Sequence, residues 1–89
     1  MSPDVIAQRL SGVPGWKTEG QSLIRSYKFD DFAAALAFVN QVGAIAEREE
    51  HHPDIELGWG RVKLAWTTHD AGGLTDKDFA LAKLVDASR

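Results

Sequence analysis

An α+β fold, one four-stranded antiparallel sheet with helices packed on one face, is predicted by three features of this 89-residue sequence. Two stretches of alternating apolar residues each fold back at a glycine-containing turn, the pattern of hairpins with one buried face. Between them, from Phe32 to Ala46, runs an apolar stripe at helical spacing. After the second hairpin, Leu74-Thr75 followed by Asp78-Phe79 forms a helix start signal. A sheet with one apolar face must bury it, and helices collected on that face make a two-layer domain. The expected order is α-β-β-α-β-β-α, in a single domain spanning residues 1–89.

The first helix is expected from Asp4 to Leu10, where Val5, Ile6 and Leu10 share a face, and Gly12 and Pro14 stop it. Trp16 to Glu19 and Leu23 to Phe29 read as strands joined at Gly20-Gln21, the second rich in β-favouring Ile24, Tyr27 and Phe29. Arg25 interrupts that pattern by sharing a face with Leu23 and Tyr27. Asp30 or Asp31 can cap the next helix, because its carboxylate accepts from the free N–H groups of the first turn. Phe32, Leu36, Val39, Gly43 and Ala46 mark that helix's stripe, and Ala35, Phe38, Val42 and Ile45 widen it. It must end before Pro53, which disfavours helical geometry in the preceding residue. Ile55, Leu57 and Trp59, then Val62, Leu64 and Trp66, alternate with polar or small residues around a turn at Gly58 to Arg61. In the last helix Thr75 and Asp78 resemble a capping box, Leu74 and Phe79 a hydrophobic staple, and Phe79, Ala82 and Val85 a buried face. Gly72-Gly73 lets the loop turn away from the strand.

Composition narrows the function classes. The formal net charge of -3 argues against a nucleic-acid backbone as the main ligand. No apolar run approaches the roughly 20 residues that span a bilayer. Met1-Ser2-Pro3-Asp4 opens an acidic amphipathic stretch, so no signal peptide is expected, and a reducing, cytoplasmic setting follows. A core this small rarely gives more than about 3–5 kcal/mol of net stability unaided. Cysteine is absent, which excludes disulfides and leaves self-association as the expected reinforcement.

All three histidines fall between positions 51 and 69, in Glu50-His51-His52-Pro53 and Thr67-Thr68-His69-Asp70. Imidazole both gives and takes a proton near neutrality, its unperturbed pKa being about 6.5. The residues leave three readings open: a polar loop and strand end, a zinc site, or a proton-transfer pocket. Adjacent side chains in an extended segment diverge, and no His-x-x-x-His spacing is present, which weakens the zinc reading. No Ser or Cys motif accompanies the histidines, which weakens nucleophilic catalysis. Proton transfer needs imidazoles around one pocket, oriented by carboxylates. Glu47, Glu49 and Glu50 crowd the negative end of the long helix, where carboxylates are disfavoured. Glu47 follows Gly43 by four residues and is expected on the buried side, a breach of local rules of the kind functional sites show. The alternative is a solvated last turn. Trp59, near a turn between two glycines, is expected to be partly exposed, as at an interface.

Together, Ala46-Glu47-x-x-x-His51-His52-Pro53, the aromatic Trp59, Val62 and Thr68-His69-x-x-x-Gly73-Leu74-Thr75-x-x-Asp78 closely resemble the pterin-4a-carbinolamine dehydratases. Trp16, Arg25-x-x-x-Phe29-x-Asp31-Phe32 and Ala35-x-x-Phe38 extend the resemblance over nearly the whole chain. It implies the α+β arrangement above and a homodimer or homotetramer. It also implies dehydration of 4a-hydroxytetrahydropterins to quinonoid dihydropterins, in recycling after aromatic amino-acid hydroxylation, with no metal or organic cofactor. Carried over by match, His51, His52 and His69 are the active-site imidazoles. Glu50, Thr67, Thr68 and Asp70 join them in the pterin pocket, and Glu47 orients a histidine from behind. His51 and His69 are expected to be the acid–base pair, with His52 binding and positioning the pterin. Some relatives also serve as dimerisation partners of a transcription regulator, so a protein-binding module is the alternative. Trp59-Gly60 stands where many relatives have Tyr-Asn, Trp66 replaces a smaller aliphatic residue, and Lys77 sits where some have Arg. These departures bear on the hairpin turn, sheet packing and subunit contacts, not on the imidazoles.

Overall fold

Strands β1 (Lys17–Glu19), β2 (Ser22–Lys28), β3 (Asp54–Gly58) and β4 (Arg61–Trp66) form one antiparallel sheet in the order β1-β2-β4-β3. The computed structural model describes residues 1–89, with helices α1 (Pro3–Leu10), α2 (Phe32–Glu49) and α3 (Asp76–Ala87) in the predicted order, and a 3₁₀ turn at His69–Ala71. Residues opposed in an antiparallel pair share a face. The register opposes Leu23 to Trp66, Arg25 to Leu64, Tyr27 to Val62, Ile55 to Leu64 and Leu57 to Val62. That face lies under the helices. On the other, Lys63 reaches Glu19 at 3.8 Å and Glu56 at 3.9 Å, solvated pairs that add little stability.

Asp31 is the cap of α2, its Oδ1 accepting from the Ala34 N–H at 2.8 Å. Of the two adjoining apolar stripes, Ala35, Phe38, Val42 and Ile45 face the core, together with Ala46. Phe32 and Leu36 are exposed, and Val39 and Gly43 are half-buried. The core joins these side chains to Leu23, Tyr27, Val62, Leu64 and Trp66 of the sheet and to Phe79, Leu81, Ala82 and Val85 of α3.

Arg25 sits on the apolar face because α3 brings it a partner. Asp86 gathers three donors: the Tyr27 hydroxyl at 2.7 Å, Trp16 Nε1 at 2.8 Å and Arg25 Nη1 at 3.0 Å. The Arg25 guanidinium also lies over the Tyr27 ring, 4.7 Å from its centroid. Burial first, then the hydrogen bond and charge of Asp86, push the Tyr27 hydroxyl far above the usual phenol range, so it remains a donor. Replacing Asp86 with alanine strands two buried donors. Asp86→Ala should therefore lower unfolding free energy by about 2 kcal/mol in urea titrations; an unchanged midpoint would show the network to be dispensable.

Trp59 and Gly60 form the β3–β4 turn, and Trp59 is 69% exposed, in keeping with the exposure expected from its place between two glycines. Glycine is needed at position 60 for close approach. Gly60 O accepts from the Phe29 N–H at 2.8 Å, and a Cβ there would fall 2.8 Å from the Phe29 carbonyl oxygen.

Candidate active site

Two chain reversals build the site. At the end of α2, Glu50 takes a left-handed conformation, φ 54°, and its N–H donates to the Ala46 and Glu47 carbonyls. This closing turn releases His51 and His52 from the helix end. Glu50 is the one non-glycine residue with positive φ, a conformation that disfavours Cβ-bearing residues by about 1–2 kcal/mol. Opposite it, β4 ends at Trp66, and Thr68 and Gly73 exchange backbone hydrogen bonds of 3.3 Å. That bridge closes a short loop, with His69 opening the 3₁₀ turn and Gly72 and Gly73 at φ 70° and 159°.

Between the reversals lies a cavity of about 240 Å³ lined by Glu50, His51, His52, Thr67, Thr68, His69 and Asp70. These are the seven residues expected around a pocket. A larger cleft, about 570 Å³, is bounded by Gly12 to Gly15, Arg25, Lys83 and Asp86. It holds no histidine, and its one carboxylate is committed to the donors described above.

The imidazoles are held differently. His51 has a side chain only 12% exposed, and its Nε2 lies 2.6 Å from Asp78 Oδ1. Asp78 is 0% exposed, the one charged side chain buried in the chain. Its Oδ2 accepts from Thr68 Oγ1 at 2.8 Å and from the Thr75 N–H at 2.9 Å, and the two threonine hydroxyls meet at 2.9 Å. A carboxylate only accepts, so the hydrogen between Nε2 and Oδ1 belongs to His51. Nδ1 is then the nitrogen left to exchange a proton with a ligand. The imidazole also stacks on the Trp66 indole, planes 8° apart and centroids 5.7 Å apart, so the departure at position 66 does reach an imidazole, contrary to expectation. His52 is 62% exposed, and its Nε2 pairs with Glu47 Oε2. His69 is exposed at the loop.

One expectation is corrected here. Glu47 lies in solvent, 78% exposed, and not on the buried side of α2. The helix directs 42, 45 and 46 at the core, and position 47 is turned about 100° past 46. Its contact with His52 does place a carboxylate on a histidine, at the rim. The buried carboxylate is Asp78, which the sequence presents as a helix cap. It does cap Thr75 through one oxygen, but the other binds His51. The available signal was Asp78 standing in register with the histidine motif, beside Thr75 and the apolar Phe79. No group of three or more His, Asp or Glu side chains is arranged to hold a metal ion.

An anchored imidazole with two others around one polar cavity is a constellation suited to moving protons. Comparison with known proteins gives it a family. Residues 1–88 match the sequence profile described as pterin 4 alpha carbinolamine dehydratase. A protein of Acidobacterium capsulatum is 49% identical over 87 residues, which cover 98% of this chain and 95% of that one. One of Chloroflexus aurantiacus is 49% identical over 86 residues, with 97% and 92% covered. Both are named, provisionally, as pterin-4-alpha-carbinolamine dehydratases. A crystal structure of a transcriptional coactivator/pterin dehydratase from Brucella melitensis superposes with a TM-score of 0.92 at 29% identity, covering 98% of this chain and 95% of that one. A pterin dehydratase-like protein, identified as a RuBisCO assembly factor in the alpha-carboxysome, gives 0.66 at 25% identity, with 81% and 83% covered. The chain belongs to the pterin-4a-carbinolamine dehydratase family.

Proposed function

We propose that the protein is a 4a-hydroxytetrahydropterin dehydratase that works by histidine acid–base catalysis. The observation that carries this reading is the His51–Asp78 contact at the wall of the histidine-lined cavity. Dehydration breaks the C4a–O bond of the carbinolamine, removes the N5 proton and forms the C4a–N5 double bond of a quinonoid dihydropterin. His51 is the base. Its Nδ1 takes the N5 proton, and the resulting imidazolium is stabilised by the Asp78 carboxylate on its other nitrogen. His69 is the acid, delivering a proton to the departing hydroxyl, which leaves as water. Its exposure lets it reload from solvent. His52 positions the pterin at the rim with Glu47 behind it, and Glu50, Thr67, Thr68 and Asp70 frame the ring. An acid and a base balance this reaction, with no further cofactor. Its substrate, a pterin already carrying a hydroxyl at C4a, places the step after pterin-dependent hydroxylation, as in aromatic amino-acid hydroxylation. The test follows the ultraviolet decay of a freshly made 4a-hydroxytetrahydropterin with and without protein. A decay rate independent of protein would defeat the assignment.

A second reading, a protein-binding module, draws on the exposed Phe32 and Leu36 of α2, an apolar strip that an isolated chain leaves wet. The same strip supports self-association into dimers or tetramers. Leu36→Asp should shift the protein to a smaller species in sedimentation velocity while dehydration continues. If the variant sediments like wild type, the strip is not where copies meet.

A further inference from the structure

We infer that Trp66 is a positioning residue for His51, the wall against which the imidazole is laid flat. The inference rests on the role given to His51 above and adds a residue to it. A hydrogen bond from Nε2 to Asp78 at 2.6 Å fixes one atom of the ring. Held at Cγ by its own side chain and at Nε2 by that bond, the ring can still rock about the line joining the two and sweep Nδ1 through an arc. The stack removes this freedom, because planes 8° apart with centroids at 5.7 Å lie within the range of an offset aromatic pair. Anchor and wall together leave the imidazole one orientation.

The wall itself belongs to the core. Trp66 closes β4, pairs with Leu23 of β2 and is fully buried in the core. His51 follows a helix end, so without the stack its ring would inherit the mobility of its own turn. Through the stack it inherits the rigidity of the sheet.

Trp66 also breaks a packing rule. Its Nε1 is buried with no hydrogen-bond partner. A stranded donor disfavours the folded state, and a phenyl ring would fill core space without one. Residues that break local rules without a folding gain are found where function is served. The indole provides the broader flat face for the imidazole.

The experiment compares Trp66→Leu and Trp66→Phe with wild type by two independent readouts. One is ¹³C relaxation of the His51 Cε1–H bond. It should report a rigid ring in wild type and Trp66→Phe and a mobile one in Trp66→Leu, with His69 unchanged. The other is dehydration kinetics: Trp66→Leu should lower kcat on the order of tenfold with KM within about twofold, and Trp66→Phe should recover most of the loss. If Trp66→Leu does not fold, Trp66→Met takes its place. A rigid His51 in the leucine variant, or lower thermal stability with kcat and ring mobility both unchanged, would reduce Trp66 to core packing. Should wild type fail to dehydrate the pterin, the functional reading falls, while the relaxation data still decide the role of Trp66.

Discussion

Replacing His51 with alanine is expected to slow dehydration of a 4a-hydroxytetrahydropterin by about 10²-fold or more while the domain stays folded. The rate effect is large because no other side chain presents a nitrogen that is both anchored to a buried carboxylate and at the cavity wall. The fold should survive because Asp78 keeps Thr68 and the Thr75 N–H, and the vacated space opens to the cavity, where water can reach Oδ1. His69→Ala should lose a similar factor from the acid side. Groups that act as a unit are not additive, so the double variant should be little worse than either single one. Initial rates in the ultraviolet assay, with circular dichroism to confirm folding, check this. Near-normal turnover in both single variants would remove the histidines from the chemistry.

Asp78→Asn should do comparable damage by a different route. The replacement is nearly the same shape, but one oxygen becomes an NH₂ group. If the amide nitrogen faces His51, it demands an acceptor at Nε2 and drives the imidazole to the Nδ1–H tautomer, with the wrong nitrogen protonated toward the pterin. If it faces the other way, its own N–H groups are turned at the Thr75 N–H and the Thr68 hydroxyl, and the Thr75 N–H loses its acceptor. Either arrangement leaves a buried donor unpaired. We expect kcat to fall by about 10²-fold and stability by about 3 kcal/mol. Glu47→Gln, a change at an exposed pair, serves as the comparison and should leave stability within about 1 kcal/mol. If the Asp78 and Glu47 variants behaved alike, the buried carboxylate would have no special role.

Much of the fold was legible because periodicity is local. Alternation in β3 and β4, the Asp31 cap and the Thr75 start signal are each written within a few residues. What the sequence left ambiguous needed partners distant along the chain. Arg25 looked misplaced because the carboxylate that receives it, Asp86, lies 61 residues away. Two apolar stripes on α2 had similar claims to the core, and periodicity does not say which one meets a sheet. Taking Phe32, Leu36, Val39 and Gly43 as the leading stripe is what put Glu47 on the wrong side. The seven cavity-lining residues were expected together from the family resemblance, whose motifs fall in two short runs at the ends of predicted elements. The orienting acid was not. A cap at the start of α3 and a hydrogen-bond partner at the end of α2 are the same residue, and only the packed structure joins the two roles.

That joining has a consequence for the order in which competence is acquired. The three histidines described here have been translated by residue 69, but the carboxylate bound to His51 arrives at 78, on α3. A nascent chain halted before α3 would own the imidazoles without the means to aim them. On the proposed mechanism, turnover would begin only when α3 docks, and activity would serve as a readout of that docking.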